Sequence, residues 1–401
     1  MKQNTAILIM ILSAFISCSK SKETLPGSIS SSSAEEDAVV TGGMVFMPST
    51  QGILFALDAA TGNTVWQYAP YSHFVGTGCV ANNIVYTFTD YPLAAVHALD
   101  ASTGNVIWID TFKTRTYSVS SAPVIFKKTV FINIQSKIYA LDAQTGAIKW
   151  QQGLGGVAAA GVASTPTVAG GTLYCGTTNS LAALDASNGN VKWSYPTGVV
   201  VTSSPCVANG VVYFTGNNGN SYAVDTSGIL KWVLPQYNDS YYSSASPTYY
   251  NGIIYGTTHS YPYSTILRAL DANTGALIWK DSISVYNSSG GAEYADPSYF
   301  KGVIYERIVD SLYAYDALTG NKKWSFYLPA DPNNSQVSFS GPCTVPGVVY
   351  ITDRENTLYA LNSKSGTLLW SFNYGGAYYP SPFVLLSNGK TYHASISGMT
   401  Q

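Results

Sequence analysis

The chain has 401 residues, enough for two to four ordinary domains or one large repetitive unit at roughly 100–200 residues per domain. Lys and Arg number 20 against 22 Asp and Glu, a net charge of -2, and charged residues make up only 10 % of the chain. This balance offers no basic surplus for nucleic acid or an anionic membrane surface, and 46 % hydrophobic residues exclude a disordered chain.

Residues 1–17 read as a signal peptide. Lys2 supplies the positive charge, and Ala6 to Ile16 is an apolar run too short to span a bilayer. The run ends in Phe15-Ile16-Ser17-Cys18, which resembles a bacterial lipobox with Cys18 as the lipidated mature N-terminus. Residues 18–37 are Ser-rich without apolar period and read as a flexible tether. The lack of Asp at position 19 points to an outer-membrane rather than an inner-membrane lipoprotein.

From residue 38 to the end the chain repeats itself. The eight Trp stand at Trp66, Trp108, Trp150, Trp193, Trp232, Trp279, Trp324 and Trp370, at intervals of 42, 42, 43, 39, 47, 45 and 46. Each closes one phrase, of which IYALDAQTGAIKW (Ile138–Trp150) is typical; the fifth copy is one residue shorter, and the eighth has Asn362 for Asp. The alternating residues before the Asp form a strand carrying a small Ala. The Asp accepts from turn N–H groups, the Gly supplies a positive φ, and the Trp lies on the next strand, buried against an adjacent repeat.

A second hairpin precedes each phrase, as in SSPCVANGVVYFTG (Ser203–Gly216), with Pro at the strand start and Asn-Gly at the turn. The unit is therefore four antiparallel strands, A to D, in about 43 residues, which is the signature of an all-β propeller. The ends share one blade: Pro382–Leu386 is expected to pair with Met44–Pro48 as its inner strand, in place of Asp37–Val40. Lys390–Ile396 reads as a strand without an assigned place.

The A-x-D-A-x-T-G-x-x-x-W phrase resembles the repeat of the PQQ-type, quinoprotein-like propellers over residues 39 to about 398. The resemblance implies eight blades around a central channel. The family takes in quinoprotein alcohol dehydrogenases and BamB-like envelope lipoproteins. The dehydrogenases carry PQQ on the axis, an adjacent Cys-Cys pair and a metal held by carboxylate and amide groups. This chain has no adjacent Cys pair, and seven of its Asp are used in repeat turns.

No HxH, HExxH, nucleophile elbow or P-loop occurs, so no catalytic residue, metal or cofactor is expected, and His73, His97, His259 and His393 read as scattered polar residues. Cys79, Cys206 and Cys343 share one strand-A position three repeats apart, too far for disulfides, and Cys175 with Cys206 is left open.

A propeller's D–A and B–C connections share one face. Here that face varies in length and gathers aromatics: Tyr71, Tyr91, Tyr117, Tyr241, Tyr242, Tyr261, Tyr263, Tyr294 and Tyr378 are the candidate binding residues. Two insertions between strands B and C, Thr89–Ala95 and Thr258–Thr265, carry Tyr-Pro there. The opposite face, of uniform D-A-x-T-G turns, is expected to be inert. The expected function is a lipid-anchored, monomeric, non-enzymatic scaffold that binds an envelope protein, with an outer-membrane assembly role implied by the resemblance. A glycan- or small-ligand-binding propeller and a PQQ-dependent dehydrogenase are the alternatives.

Overall fold

The computed structural model describes residues 42 to 393 apart from 50, 75–76, 93, 114–120, 136, 156–163, 236–244, 261–263, 285–294, 309, 330–340, 354, 376–381 and 387–389. Residues 1–17 and 18–37, read from the sequence as signal peptide and tether, and Asp37–Val40 lie outside these residues.

Eight antiparallel sheets form an all-β propeller. We number the blades by their Trp, from Trp66 in blade 1 to Trp370 in blade 8. Blade 5 shows the unit: strand A (Cys206–Ala208), B (Val211–Thr215), C (Ser221–Asp225) and D (Leu230–Leu234), hydrogen-bonded in that order. Between A and B, Asn209 and Gly210 have φ of 49° and 77°, the two positive values that a tight hairpin turn requires.

The C–D turn is held by its Asp. Asp142 Oδ1 accepts from the backbone N–H groups of Gln144 and Thr145 at 3.0 and 3.1 Å and from the Thr145 hydroxyl at 3.2 Å. Asn362 does the same in the eighth copy, accepting from Lys364 and Ser365 at 3.0 Å each. Every C–D pair then slips by one residue after its Ala, as between Ala140 and Leu141, a β-bulge at the same place in all eight blades. The extra residue points back over the turn where it is basic: Lys149 Nζ lies 3.1 Å from Asp142 Oδ2, and Lys323 Nζ 3.2 Å from Asp316 Oδ2.

The Trp joins each blade to the next. Trp66 Nε1 donates to Ala101 O at 3.0 Å, Trp108 to Ala143 O at 3.0 Å, Trp193 to Thr226 O at 2.9 Å and Trp324 to Ser363 O at 3.1 Å. The indole also lies on the next blade's turn glycine. A Cβ at Gly146, where φ is 76°, would meet Trp108 Cε3 at 2.7 Å, and each of the other seven turn glycines faces the preceding Trp in this way. Trp108 and Trp232 are buried, while the other six indoles keep a partly exposed edge, less buried than the sequence reading held.

The ring closes as expected. Phe383–Leu386 pairs antiparallel with Gly43–Pro48, Phe46 opposite Phe383, and so serves as strand A of blade 1. Trp370 Nε1 completes the circle at Ala59 O, 3.2 Å away. Thr391–His393 pairs with the other edge of Phe383–Leu386, the edge facing the axis. The chain's own C-terminal strand therefore stands in the channel, near the inner strands of blades 2 and 8.

Trp108→Ala should cost about 3–5 kcal/mol, the range of large-to-small aromatic changes in cores, measured by chemical denaturation. A loss below about 1 kcal/mol would mean that the indole does not join blades 2 and 3.

Candidate functional site

The face formed by the D–A and B–C connections is uneven because two blades are taller than the rest. Strand B runs five residues past its conserved-phase aromatic in blade 2 (Tyr86 to Tyr91) and in blade 6 (Tyr255 to Ser260), and only two or three residues past it in the others. Strand D is likewise longest in these two, Val106–Phe112 and Leu277–Ser284. The segments read as insertions are thus largely strand: Thr89 pairs with Ala95, and Thr258, His259 and Ser260 pair with Ile266, Thr265 and Ser264. Pro92, just past the end of strand B of blade 2, has no N–H to donate and stands outside the ladder.

Three further rungs in blade 6, relative to blade 5, raise its hairpin by about 10 Å at 3.3–3.4 Å per residue. Blades 2 and 6 are four apart in a ring of eight, so the two ridges stand on opposite sides of the axis.

Of the nine candidate tyrosines, Tyr71 and Tyr91 fall among the described residues. Tyr71 is 94 % exposed, with a φ of 56° at the tip of the connection into blade 2. Tyr91 ends strand B of that blade and pairs through its backbone with His73. The structure brings these two onto one blade. Tyr117, Tyr241, Tyr242, Tyr261, Tyr263, Tyr294 and Tyr378 lie outside the described residues. Tyr374, just past the end of strand D of blade 8, is buried.

Beneath blade 2 lies a polar group that sequence reasoning passed over. His97, 3 % exposed, sits between the hydroxyls of Tyr68, 3.0 Å from Nδ1, and Thr89, 2.9 Å from Nε2. Phe74 packs on its ring. Burial lowers the His97 pKa to about 4, so the imidazole is neutral, and each hydroxyl can donate or accept to suit the tautomer. Its only sequence signal is a His at an inward position of strand C.

The opposite face is less uniform than expected. Tyr250, 42 % exposed at the end of strand A of blade 6, stacks on Tyr299 of blade 7 with ring centroids 3.8 Å apart. Tyr249 stacks on Tyr213 at 6.0 Å. The signal was two consecutive aromatics, Tyr249-Tyr250 and Tyr299-Phe300, where the other strands A are mostly aliphatic.

Cys79, Cys175, Cys206 and Cys343 are free and buried, which settles the open pairing of Cys175 with Cys206. Burial pushes the Cys175 thiol up to about 12 and leaves it unreactive. Among the described residues no three His, Cys, Asp or Glu side chains gather as a metal site needs.

The family described as outer membrane protein assembly factor BamB matches residues 19–159, 92–262, 135–295 and 263–391. The chain belongs to that family. The BamB structure from Moraxella catarrhalis is 18 % identical, covering 92 % of this chain and 98 % of that one, with a TM-score of 0.47. The designed Ika8 protein aligns with a TM-score of 0.61 at 12 % identity, covering 81 % of this chain and 96 % of that one, a likeness of fold alone. The quinohemoprotein alcohol dehydrogenase ADH-IIG of Pseudomonas putida is 30 % identical over 140 residues, 32 % of this chain and 19 % of that enzyme. The chain spans between 13 % and 33 % of the length of the curated relatives it matches.

The depressed pKa of His97 fixes a sign. Protonation is harder in the folded state than in the unfolded one, so this contribution is full above the unfolded value of about 6.5 and is lost as pH falls toward 4. A shift of this size corresponds to about 3 kcal/mol. His97→Gln should therefore lose less stability than the parent between pH 7 and pH 4.5 in urea titrations; equal losses would refute the neutral imidazole.

Proposed function

We propose that the chain is a lipid-anchored, non-enzymatic scaffold of the bacterial envelope that captures a protein partner on its D–A and B–C face, in support of outer-membrane protein assembly. Residues 1–17 act as signal peptide, Cys18 as lipid anchor, and 18–37 as the tether that lets a monomeric propeller reach its partner.

The observation that carries this reading is the pair of ridges. Two diametrically opposed blades rise above the ring, with Tyr71 fully presented beside one of them, and the sequence puts a Tyr-Pro pair in the B–C connection of each. Tyrosines on a rigid base give large contact area at small entropic cost. Family membership supplies the envelope setting. The C-terminal strand on the axis favours a scaffold over a PQQ enzyme, because a cofactor placed there would have to displace Thr391–His393. Low charge assigns recognition to shape and aromatic contact rather than long-range steering.

A second reading has its own observation. The stacked Tyr250–Tyr299 pair is an aromatic platform of the kind that receives a sugar ring, and it stands on the opposite face.

Tyr91→Ala combined with Tyr263→Ala should weaken partner capture from detergent-solubilised envelope by about 1 kcal/mol or more per residue, with the fold intact. The pair Thr145→Ala with Thr274→Ala, on the turn face, should leave capture unchanged. The reverse outcome would reassign the faces, and loss of glycan binding on Tyr250→Ala would favour the second reading. Cys18→Ser should release the protein from membranes; an unlipidated mature form that still pellets with membranes would refute the anchor.

A further inference from the structure

At their inner ends blades 3 to 7 are linked by a relay at the residue before the strand-A proline. The backbone N–H of Ala122 donates to Thr165 Oγ1 of the next blade at 3.3 Å, that of Thr165 to Ser204 Oγ at 3.2 Å, and that of Ser204 to Ser246 Oγ at 2.9 Å. The next link differs in chemistry. Ser246 N–H of blade 6 donates to Asp296 Oδ1 of blade 7, a carboxyl where the other links have hydroxyls.

The same seam holds a second acid. Tyr305 in strand B of blade 7 reaches Ser363 O of blade 8, so its neighbour Glu306 points the other way, into the seam with blade 6. The corresponding residues elsewhere are Met47, Thr87, Ile132, Cys175, Phe214, Gly256 and Ile351. Glu306 is 0 % exposed, and neither carboxyl oxygen has a hydrogen-bond partner.

The groups facing it offer no counter-charge. From blade 6 these are Thr257, the polar side chain that eases the carboxyl most, and Tyr255, whose hydroxyl is given to Ala317 O. From blade 7 they are Asp296, Tyr313, which pairs with Glu306 across the hairpin, and Tyr315, whose hydroxyl is given to Asp281 Oδ2 at 2.9 Å. Lys322 Nζ, on strand D, lies 4.2 Å from the Tyr313 ring centroid and 5.9 Å from that of Tyr315. Arg307 points into the seam with blade 8, donating to Thr352 O at 2.8 Å. His259 follows Thr257 by two along the same strand, and its side chain lies outside the described residues.

We propose that the seam between blades 6 and 7 is a proton-operated latch: it is closed at its inner end while Asp296 and Glu306 carry protons, and it opens there when they lose them. Burial pushes Asp296 up to about 7, and burial with the nearby Asp296 charge pushes Glu306 well above the ordinary carboxylate range. Both folded-state values are raised. The stabilisation is therefore full below the unfolded value of about 4 and is lost as pH rises through about 7 and beyond. Two like charges then share a buried site. The outer part of the seam stays fastened through Trp279 Nε1 and Tyr255 Oη, both on Ala317 O, so opening is local.

Amide hydrogen exchange at pH 6 and pH 8.5 tests this, with Ser204 as internal reference because its N–H makes the equivalent bond to a hydroxyl. The ratio of Ser246 to Ser204 exchange rates should rise about tenfold or more in the parent protein, as expected when a group near pKa 7 titrates by more than one unit. In Glu306→Gln the rise should be smaller, and the melting temperature should fall less between the two pH values. A ratio that stays constant in the parent protein would overturn the latch whether or not the variant folds. So would an undiminished rise in a folded Glu306→Gln.

Discussion

One backbone carbonyl per blade carries the fold: the one that follows the turn Asp, or its Asn in blade 8. It accepts the indole N–H of the preceding blade, from Trp66 on Ala101 O round to Trp370 on Ala59 O. A carbonyl oxygen has two lone pairs, and five of the eight use both. Tyr86, Tyr213, Tyr255, Tyr305 and Tyr350 give their hydroxyls to the carbonyls that Trp108, Trp232, Trp279, Trp324 and Trp370 also reach. Phe46 and Phe131 have no hydroxyl, and there the indole acts alone. The turn glycine completes the joint, since its positive φ makes the turn and its missing Cβ makes room for the ring. Turn conformation and blade docking are thus one requirement, which is why the phrase from Asp to Trp tolerates so little change in length.

Closure follows from the same joint. A linear stack of such units would end in an unpaired strand and an unoccupied carbonyl, both open to association. Here Trp370 bridges 311 residues to Ala59, and the strand of Phe383–Leu386 fills the inner place beside Gly43–Pro48. The first blade therefore cannot be complete until the last part of the chain is present, a long-range contact of the kind that slows folding. The extra strand at Thr391–His393 adds a second consequence. It uses the inner edge of blade 1 and so occupies the side of that blade nearest the axis.

Whatever is written eight times in this sequence could be read from it. The Gly and Trp positions, and the Asp that Asn362 replaces once, all follow from phase, because repetition separates a geometric need from chance, and the shared first blade follows from counting the units. Residues that occur once have no phase to expose them. His97 is legible only as an inward strand position, and its hydroxyl partners come from strand D of blade 1 and from across its own hairpin. The tall hairpins were misread as loops because Tyr-Pro marks a turn, while the paired Thr-Thr-His-Ser before it has little apolar alternation. Tyr250 and Tyr299 each stand in a pair of consecutive aromatics, but that they meet across a seam is a long-range contact that neither pair shows by itself.

Departures from the repeat are also where the seams stop being equivalent. Blade 7 carries Glu306 and Arg307 side by side on strand B, and a pleated strand must send them to opposite faces. The opposite charges are adjacent in sequence yet cannot neutralise each other. Arg307 is used in the seam with blade 8, where it donates to Thr352 O and its charge steadies Asp310 and Asp353. Glu306 faces blade 6 with hydroxyls and another acid. An ionised carboxylate without a counter-charge is costly in such a place, so the proton is its cheapest partner. The seam on one side of blade 7 is accordingly fastened by a permanent cation and that on the other by a titratable proton. The eight outer joints are alike, and among the described inner links the one between blades 6 and 7 is built on a carboxyl in place of a hydroxyl.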